Sequence, residues 1–272
     1  MAKIAVVQMK ASIDKDVNQD RILEYIRQTA EEGAHMCTFP EFMMFHTPSD
    51  MTPAQLADDS EDITGPFVTS ICQAAKDNQI EVVGTFYETS PVPERVYDTA
   101  FIINNSGEIT STYRKTHLYD ALGFTESDKL VQGDAISLPI QTSAGMVGVL
   151  ICYDLRFPEV SRALTDAGSQ VLIAPSAWVR GYRKKDHWLI MNRARAIENG
   201  CYVIAPAHTK NIYCGHSMAI DPFGDIIFEL GDEEDIAYVD INTSVVDSTR
   251  EKLPLLKNRR LDIYPELKDI PK

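Results

Sequence analysis

The 272-residue chain has no long apolar run, no closely paired cysteines and no excess of basic charge. Each absence closes off a class of function. No stretch approaches the ~20 apolar residues that a membrane span requires. The apolar run in MAKIAVVQMKAS is too short for a secretory signal, and no small-residue cleavage site follows it. The protein is therefore expected in the cytoplasm, away from any membrane. The 5 cysteines are Cys37, Cys72, Cys152, Cys201 and Cys214, and none falls in a C-x-x-C pair. Such spacing offers neither a zinc knuckle nor a redox motif, and a disulfide framework does not suit a chain this long. Lys and Arg number 26 against 40 Asp and Glu, a net charge of -14. A nucleic-acid or anionic-membrane surface would need the opposite balance. His117, His187, His208 and His216 do not stand at metal-ligand spacing. No metal and no other cofactor is expected.

What is present reads as an ordinary globular chain, 44% hydrophobic and 24% charged. Ile4-Ala5-Val6-Val7 predicts a buried strand at the start. Asn18 to Glu32 predicts an amphipathic helix with Ile22, Leu23, Ile26 and Ala30 on one face, stopped by Gly33. A second helix is expected over Pro66 to Asp77 and another over about Lys184 to Asn199. Asn105-Ser106-Gly107 marks a hairpin between two short strands. His117 to Asp134 has no sustained period and reads as a long loop, a kind that is often functional. Strand and helix signals alternate to the end, with no low-complexity linker. One domain over residues 1–272 is expected, an α/β fold with helices covering sheets. The stretch from about Pro254 reads as a tail with Leu261 and Tyr264 as apolar anchors. Periodicity leaves the number of layers open.

Three residues stand out chemically. Cys152 ends the apolar run Met146 to Ile151, with a helix expected from Phe157. That puts it on a turn at the carboxyl edge of a sheet, where α/β proteins bind ligands. A helix N-terminus nearby would favour thiolate over thiol. On local context two readings stand, a nucleophile or a small buried hydrophobe. Glu41 lies in Phe39-Pro40-Glu41-Phe42-Met43-Met44-Phe45, an aromatic and methionine shell. A carboxylate is costly to bury there unpaired, and burial suits it to general-base work. Lys115 follows a strand, which by itself suggests only a solvated strand end. As a partner it could offer a cation to an oxyanion.

The segments FPEF, YRKTHLYD, FTESDKL, GVLICYDLRFPE, DHWLIMNRARAIENGCYVIAP and GHSMAIDPFG resemble, in order, the nitrilase superfamily of carbon–nitrogen hydrolases. The likeness runs from the first strand to about Tyr264. It implies that Glu41, Lys115 and Cys152 are the catalytic residues and that Glu126 is a second glutamate holding the lysine. It also implies a four-layer α-β-β-α sandwich and a homodimer or larger assembly, with the tail crossing to a partner. RKTHLYD, ES, GD and ICYDLRF together are similar to the omega-amidase and deaminated-glutathione amidase branches. The implied chemistry is cleavage of a small amide to a carboxylic acid and ammonia through a cysteine thioester. The backbone N–H of Tyr153 and the Lys115 ammonium would hold the oxyanion.

Two rivals remain at this point. An N-carbamoyl amidohydrolase would use the same three residues on a ureide. A catalytically dead scaffold would keep the fold without the chemistry, although the three residues are intact. For substrate contacts, Trp178 ends a strand near the presumed site. Val179-Arg180-Gly181-Tyr182-Arg183 follows it with basic groups in an otherwise acidic chain. Two readings stand for this loop: a solvated lead into the helix, or a rim of the cleft on which Arg180 and Arg183 are expected to bind a distal carboxylate through paired hydrogen bonds. Asp154 and Arg156 are expected to pair locally and shape the turn.

Overall fold

The computed structural model describes residues 1–262. Two six-stranded sheets form the middle of the molecule. In the first, β1 (Ala2–Gln8), β2 (Met36–Thr38), β3 (Glu81–Thr89), β4 (Val96–Ile103) and β5 (Ile109–Arg114) follow one another across the sheet. The second holds β6 (Ile140–Thr142), β7 (Gly145–Val149), β8 (Val171–Ile173), β9 (Tyr202–Ala205), β10 (Met218–Ile220) and β11 (Ile226–Glu229). A last strand, β12 (Asp235–Ile241), returns to the first sheet and pairs antiparallel with β1. Each sheet has three parallel strands at its centre and antiparallel strands outside them. The parallel triads are β1-β2-β3 and β7-β8-β9.

The apolar run of β1 follows from burial on both faces rather than one. Successive strand residues point to opposite sides. Ile4 and Val6 pack with Val147, Val149 and Leu172 of the second sheet. Ala5 and Val7 pack instead with Ile22 and Ile26 of α1 (Lys15–Glu31) and with Phe67 and Ile71 of α3 (Pro66–Asn78). Between these two helices a short α2 (Pro53–Asp59) contributes Leu56 to the same cluster. Beyond the second sheet, α4 (Pro158–Asp166) supplies Leu164 and α5 (Lys184–Asn199) supplies Trp188 and Ala196. The layers therefore run helix, sheet, sheet, helix, the four-layer sandwich that the sequence resemblance implies.

Trp188 is fully buried, and its indole N–H donates to the His216 carbonyl at 2.7 Å. An indole can sit in an apolar layer without penalty only when that proton has a partner. The last helix, α6 (Thr243–Lys252), is capped by Asn242, whose side chain accepts the Ser244 N–H. Of the expected tail anchors, Leu261 is exposed, while Tyr264 lies outside the described residues. No described helix is long and apolar enough to cross a membrane.

Candidate active site

Parallel strands place two of the three expected residues beyond their carboxyl ends, where main-chain geometry leaves room for a site. Glu41 follows β2 and Cys152 follows β7. Lys115 follows β5 directly. Its position is set by its own backbone. The Lys115 N–H donates to the Asp98 carbonyl at 2.9 Å, and its carbonyl accepts from Gly133 N–H at 2.8 Å. Any Cβ at Gly133 would stand 2.2 Å from the Arg114 carbonyl oxygen, so only glycine permits this approach.

The structure brings the three together with Glu126. The Lys115 ammonium donates to Glu41 Oε1 at 2.7 Å and to Glu126 Oε2 at 2.8 Å. The other Glu41 oxygen, Oε2, accepts the Ala177 N–H at 2.7 Å. Ala177 lies just past β8, so Glu41 is delivered by one sheet and fastened to the other. Glu126 is presented by a single 3-10 turn, Glu126–Asp128, inside the expected long loop. Its Oε2 also accepts the Tyr119 N–H at 2.7 Å. Glu41 and Lys115 are buried. Burial opposes the Lys115 charge, but Glu126 and Glu41 overcome it and hold its proton well beyond the ordinary lysine range.

Cys152 opens a 3-10 turn, Cys152–Arg156, with φ of +42°. A left-handed backbone at a non-glycine residue is uncommon and persists only where the surroundings enforce it. Here its N–H is held by the Pro175 carbonyl at 2.9 Å. Phe42, next to Glu41, is likewise left-handed at +57°. Burial first, and then the Glu41 carboxylate, push the Cys152 thiol well above its ordinary value. The thiolate expected from a nearby helix N-terminus is therefore not the resting state. The helix begins only at Pro158, and its dipole acts mainly within the first turn. Any attack by this sulfur would have to be accompanied by its deprotonation, and Glu41 is the carboxylate beside it.

A cavity of about 520 Å³ opens over Cys152, and Glu126, Tyr153 and Trp178 line it as well. Arg180 and Arg183 do not line it. Arg180 Nε donates to the Tyr213 carbonyl at 2.6 Å, while Arg183 points outward and pairs with Asp186 at 3.2 Å. The cations that line the cavity are Lys129, Arg156 and Lys184, and the Lys129 ammonium is already held by the Met51 carbonyl. Lys184 is buried, with Nζ donating to Tyr119 Oη at 2.7 Å and lying 5.1 Å from the Trp178 ring centre. Burial, and then Arg156, pull its charge below the ordinary lysine value. The Arg156 guanidinium lies 4.6 Å from the Trp178 ring centre. Arg156 is therefore not the partner of Asp154, which binds Tyr113, Thr116 and His117 instead. Lys184 was hidden in sequence at the point where a basic loop becomes a helix. Its neighbours gave no sign which of four basic residues turns inward.

A buried carboxylate and ammonium beside a thiol, under a cavity of ligand size, can deprotonate sulfur and stabilise an oxyanion. Comparison with known proteins agrees with this chemistry. Residues 3–251 match the family model described as "Carbon-nitrogen hydrolase". The deaminated glutathione amidase of Bos taurus is 34% identical, over 97% of this chain and 84% of its own length. The omega-amidase NIT3 of Saccharomyces cerevisiae is 33% identical, over 97% of this chain and 95% of its own. The crystal structure of Saccharomyces cerevisiae Nit3, a member of branch 10 of the nitrilase superfamily, covers 95% of this chain and 96% of its own, with a TM-score of 0.83 and 31% identity. An amidase from Nesterenkonia sp. AN1, with the acetamide moiety of fluoroacetamide covalently added at its active-site cysteine, is 25% identical. It covers 96% of this chain and 95% of its own, with a TM-score of 0.82. With the fold, the buried cluster and the sequence likeness all in agreement, the chain belongs to the carbon–nitrogen hydrolase family of the nitrilase superfamily.

Proposed function

We propose that this carbon–nitrogen hydrolase is a thiol amidohydrolase that converts a small amide to a carboxylic acid and ammonia, with Cys152 as nucleophile. The observation that carries the reading is the buried contact of Glu41 with Lys115 at 2.7 Å beside the buried Cys152 thiol. Glu41 takes the Sγ proton as sulfur attacks the amide carbon. The oxyanion forms between the Lys115 ammonium and the Tyr153 N–H. Glu41 then gives its proton to the departing nitrogen, ammonia leaves, and a thioester remains. Water, activated by Glu41, attacks the thioester carbonyl and releases the acid and the thiol. Glu126 holds Lys115 in place throughout.

The substrate favoured by the cavity is a short monoamide with a distal carboxylate. Arg156 and Lys184 support this, because they and Lys129 bring three cations to an otherwise largely aromatic pocket in an acidic protein. They take the role expected of Arg180 and Arg183. The omega-amidase and deaminated glutathione amidase relatives support the same class. A panel of small amides, ureides and nitriles, assayed for ammonia, tests the reading. Acidic monoamides should be the best substrates. Carbon dioxide released together with ammonia would identify a ureide hydrolase instead. No product from any of them, together with failure of an electrophile to label Cys152, would leave only a scaffold.

Homodimer formation is part of the proposal. Ile190, Ile197, Phe223 and Ile227 are exposed on α5 and on the β10–β11 hairpin. Ile197 also lies against Gly224 of that hairpin turn. A surface of that kind supports self-association, and a monomeric mass by light scattering at micromolar concentration would contradict it.

A further inference from the structure

Asp98 is fully buried on β4, opposite Tyr87 of β3, at the back of the cluster just described. Its backbone carbonyl holds the Lys115 N–H, which fixes the side chain behind the lysine. Its Oδ2 is 3.9 Å from Lys115 Nζ, and among the described residues neither carboxyl oxygen receives a hydrogen bond from any donor. The two other carboxylates differ sharply from it. Glu41 receives the Lys115 ammonium on one oxygen and the Ala177 N–H on the other. Glu126 receives the ammonium and the Tyr119 N–H. Donors in the cluster are thus assigned to two carboxyls, and none to the third.

Three carboxylates around one ammonium would leave a net charge of minus two in a dry site, which is costly even before sulfur ionises. The carboxyl without donors is the one that relieves this by keeping a proton. An ionised carboxyl can only accept, whereas a protonated one has an O–H to give. We propose that Asp98 is held as a neutral carboxylic acid whose O–H donates to the Glu41 carboxylate, making it a positioning residue that keeps Glu41 aimed at Cys152. This rests on Glu41 as the base. Burial first, and Glu41 second, push the Asp98 carboxyl well above the usual range, against the pull of Lys115. The groups that face it are Glu41 from the loop after β2, Lys115 from the end of β5, Glu126 from its 3-10 turn and Tyr87 from β3. Cys152 completes the cluster. With Asp98 neutral, the cluster carries one net negative charge at rest. When Sγ forms its bond to the amide carbon and its proton passes to Glu41, the charge becomes that of the oxyanion and the net value is unchanged. Asp98 keeps its own proton throughout.

The test has two arms, both on the full-length protein. Infrared difference spectra of resting wild type against Asp98→Asn, in water and in deuterium oxide at pH 7, read the proton without substrate. The expected result is a carboxylic-acid carbonyl band in wild type that shifts in deuterium oxide and is missing in the variant. A wild-type protein without that band overturns the proposal. The second arm is kcat/KM against pH on an amide that wild type hydrolyses. Misplacing the base by Asp98→Ala should cost on the order of 10²-fold at pH 7. Asp98→Asn, which keeps a donor but has no proton to lose, should recover most of that and carry activity further into alkali than wild type. If Asn is as damaging as Ala, or the alkaline limb does not move, Asp98 is not a neutral donor. Should wild type hydrolyse none of the panel, the amidase reading fails, while the infrared arm still decides the state of Asp98.

Discussion

The Asp154 carboxylate receives the Tyr113 hydroxyl at 2.7 Å, joining the turn that carries Cys152 to the strand that carries Lys115. Each partner lies two residues from its reactive neighbour. The same carboxylate also accepts the Ile151 N–H at 3.0 Å and the His117 N–H at 3.0 Å. Asp154 is fully buried, and the His117 ring stacks on Phe157 with 3.7 Å between centroids. One side chain thus fixes the separation of the sulfur and the ammonium.

Asp154→Ala is therefore expected to cost activity far beyond any loss of substrate affinity. Misplacement of about 1 Å can cost 10²-fold in rate, so kcat should fall by that order with KM within a few-fold. Asp154→Asn keeps half of the acceptor capacity and should lie between. Steady-state kinetics at a temperature well below both melting points checks this. A fall in KM-linked binding with kcat intact would contradict it.

Cys152→Ala should abolish turnover, since loss of a nucleophile typically costs on the order of 10⁴ or more. Glu41→Gln should leave the sulfur able to react with a strong electrophile but unable to turn over an amide, because no base remains to cycle the proton. Intact-mass detection of a covalent adduct in Glu41→Gln, and none in Cys152→Ala, separates the two roles. Cys37→Ala and Cys201→Ala should leave kcat unchanged, because those thiols are buried in packing clusters away from the cavity.

Replacing Lys184 by Met keeps the buried length and removes the charge. KM for a short acidic monoamide should rise about tenfold or more, the worth of one charge-assisted hydrogen bond, with a neutral amide of equal length little changed. Arg180→Ala and Arg183→Ala should be silent in the same assay, as neither lines the cavity. Parallel KM values for the two amides decide between these assignments.

His208 gives the fold a definite response to acid. It is fully buried, and its Nδ1 lies 2.8 Å from the Met9 carbonyl. Burial lowers its value from 6.5 to about 4. Unfolded chains bind the proton first as pH falls, so the stability held above pH 6.5 drains away between there and about pH 4. The full loss from this residue is about 3 kcal/mol. Asp98 and Glu126 are raised instead of lowered, so they act in the opposite sense as pH falls. The readout is therefore a difference between proteins. Urea midpoints at pH 7.5 and 4.5 should move less in His208→Asn than in wild type. An identical shift would show that His208 does not carry the effect.

Much of the fold was legible because its helices have punctuation. The helix expected over about Lys184 to Asn199 is found at Lys184–Asn199, ended by Gly200 in a left-handed conformation. The first helix starts at Lys15, earlier than the expected Asn18, because Asp14 caps it by accepting the Asp16 and Val17 N–H groups. The helix Pro53–Asp59 was missed, although Thr52 and Gln55 form a capping box with proline at its start. Seven residues are too few for a hydrophobic period to declare itself. Pairing of β12 with β1 links residues more than two hundred positions apart, and no local signal encodes it. The site divided along the same line. Glu41, Lys115, Glu126 and Cys152 stand in motifs that the family resemblance picks out together. Asp98 and Asp154 matter only through what the folded chain places around them, and Lys184 differs from its basic neighbours only in the direction it faces.

Glu41 and Lys115 belong to the sheet made first, and Cys152 to the sheet made second. A ribosome therefore exposes that carboxylate and ammonium well before it has built the thiol they meet. The first sheet also lacks its edge partner until residues 235–241 have emerged. The left-handed turn at Cys152 and the carboxylate buried beside it belong to the finished protein alone. The cluster of Glu41, Lys115 and Cys152 is assembled only when the two sheets close on one another. A destabilised or proteolysed molecule loses the cluster by the same route, and its capacity for catalysis with it.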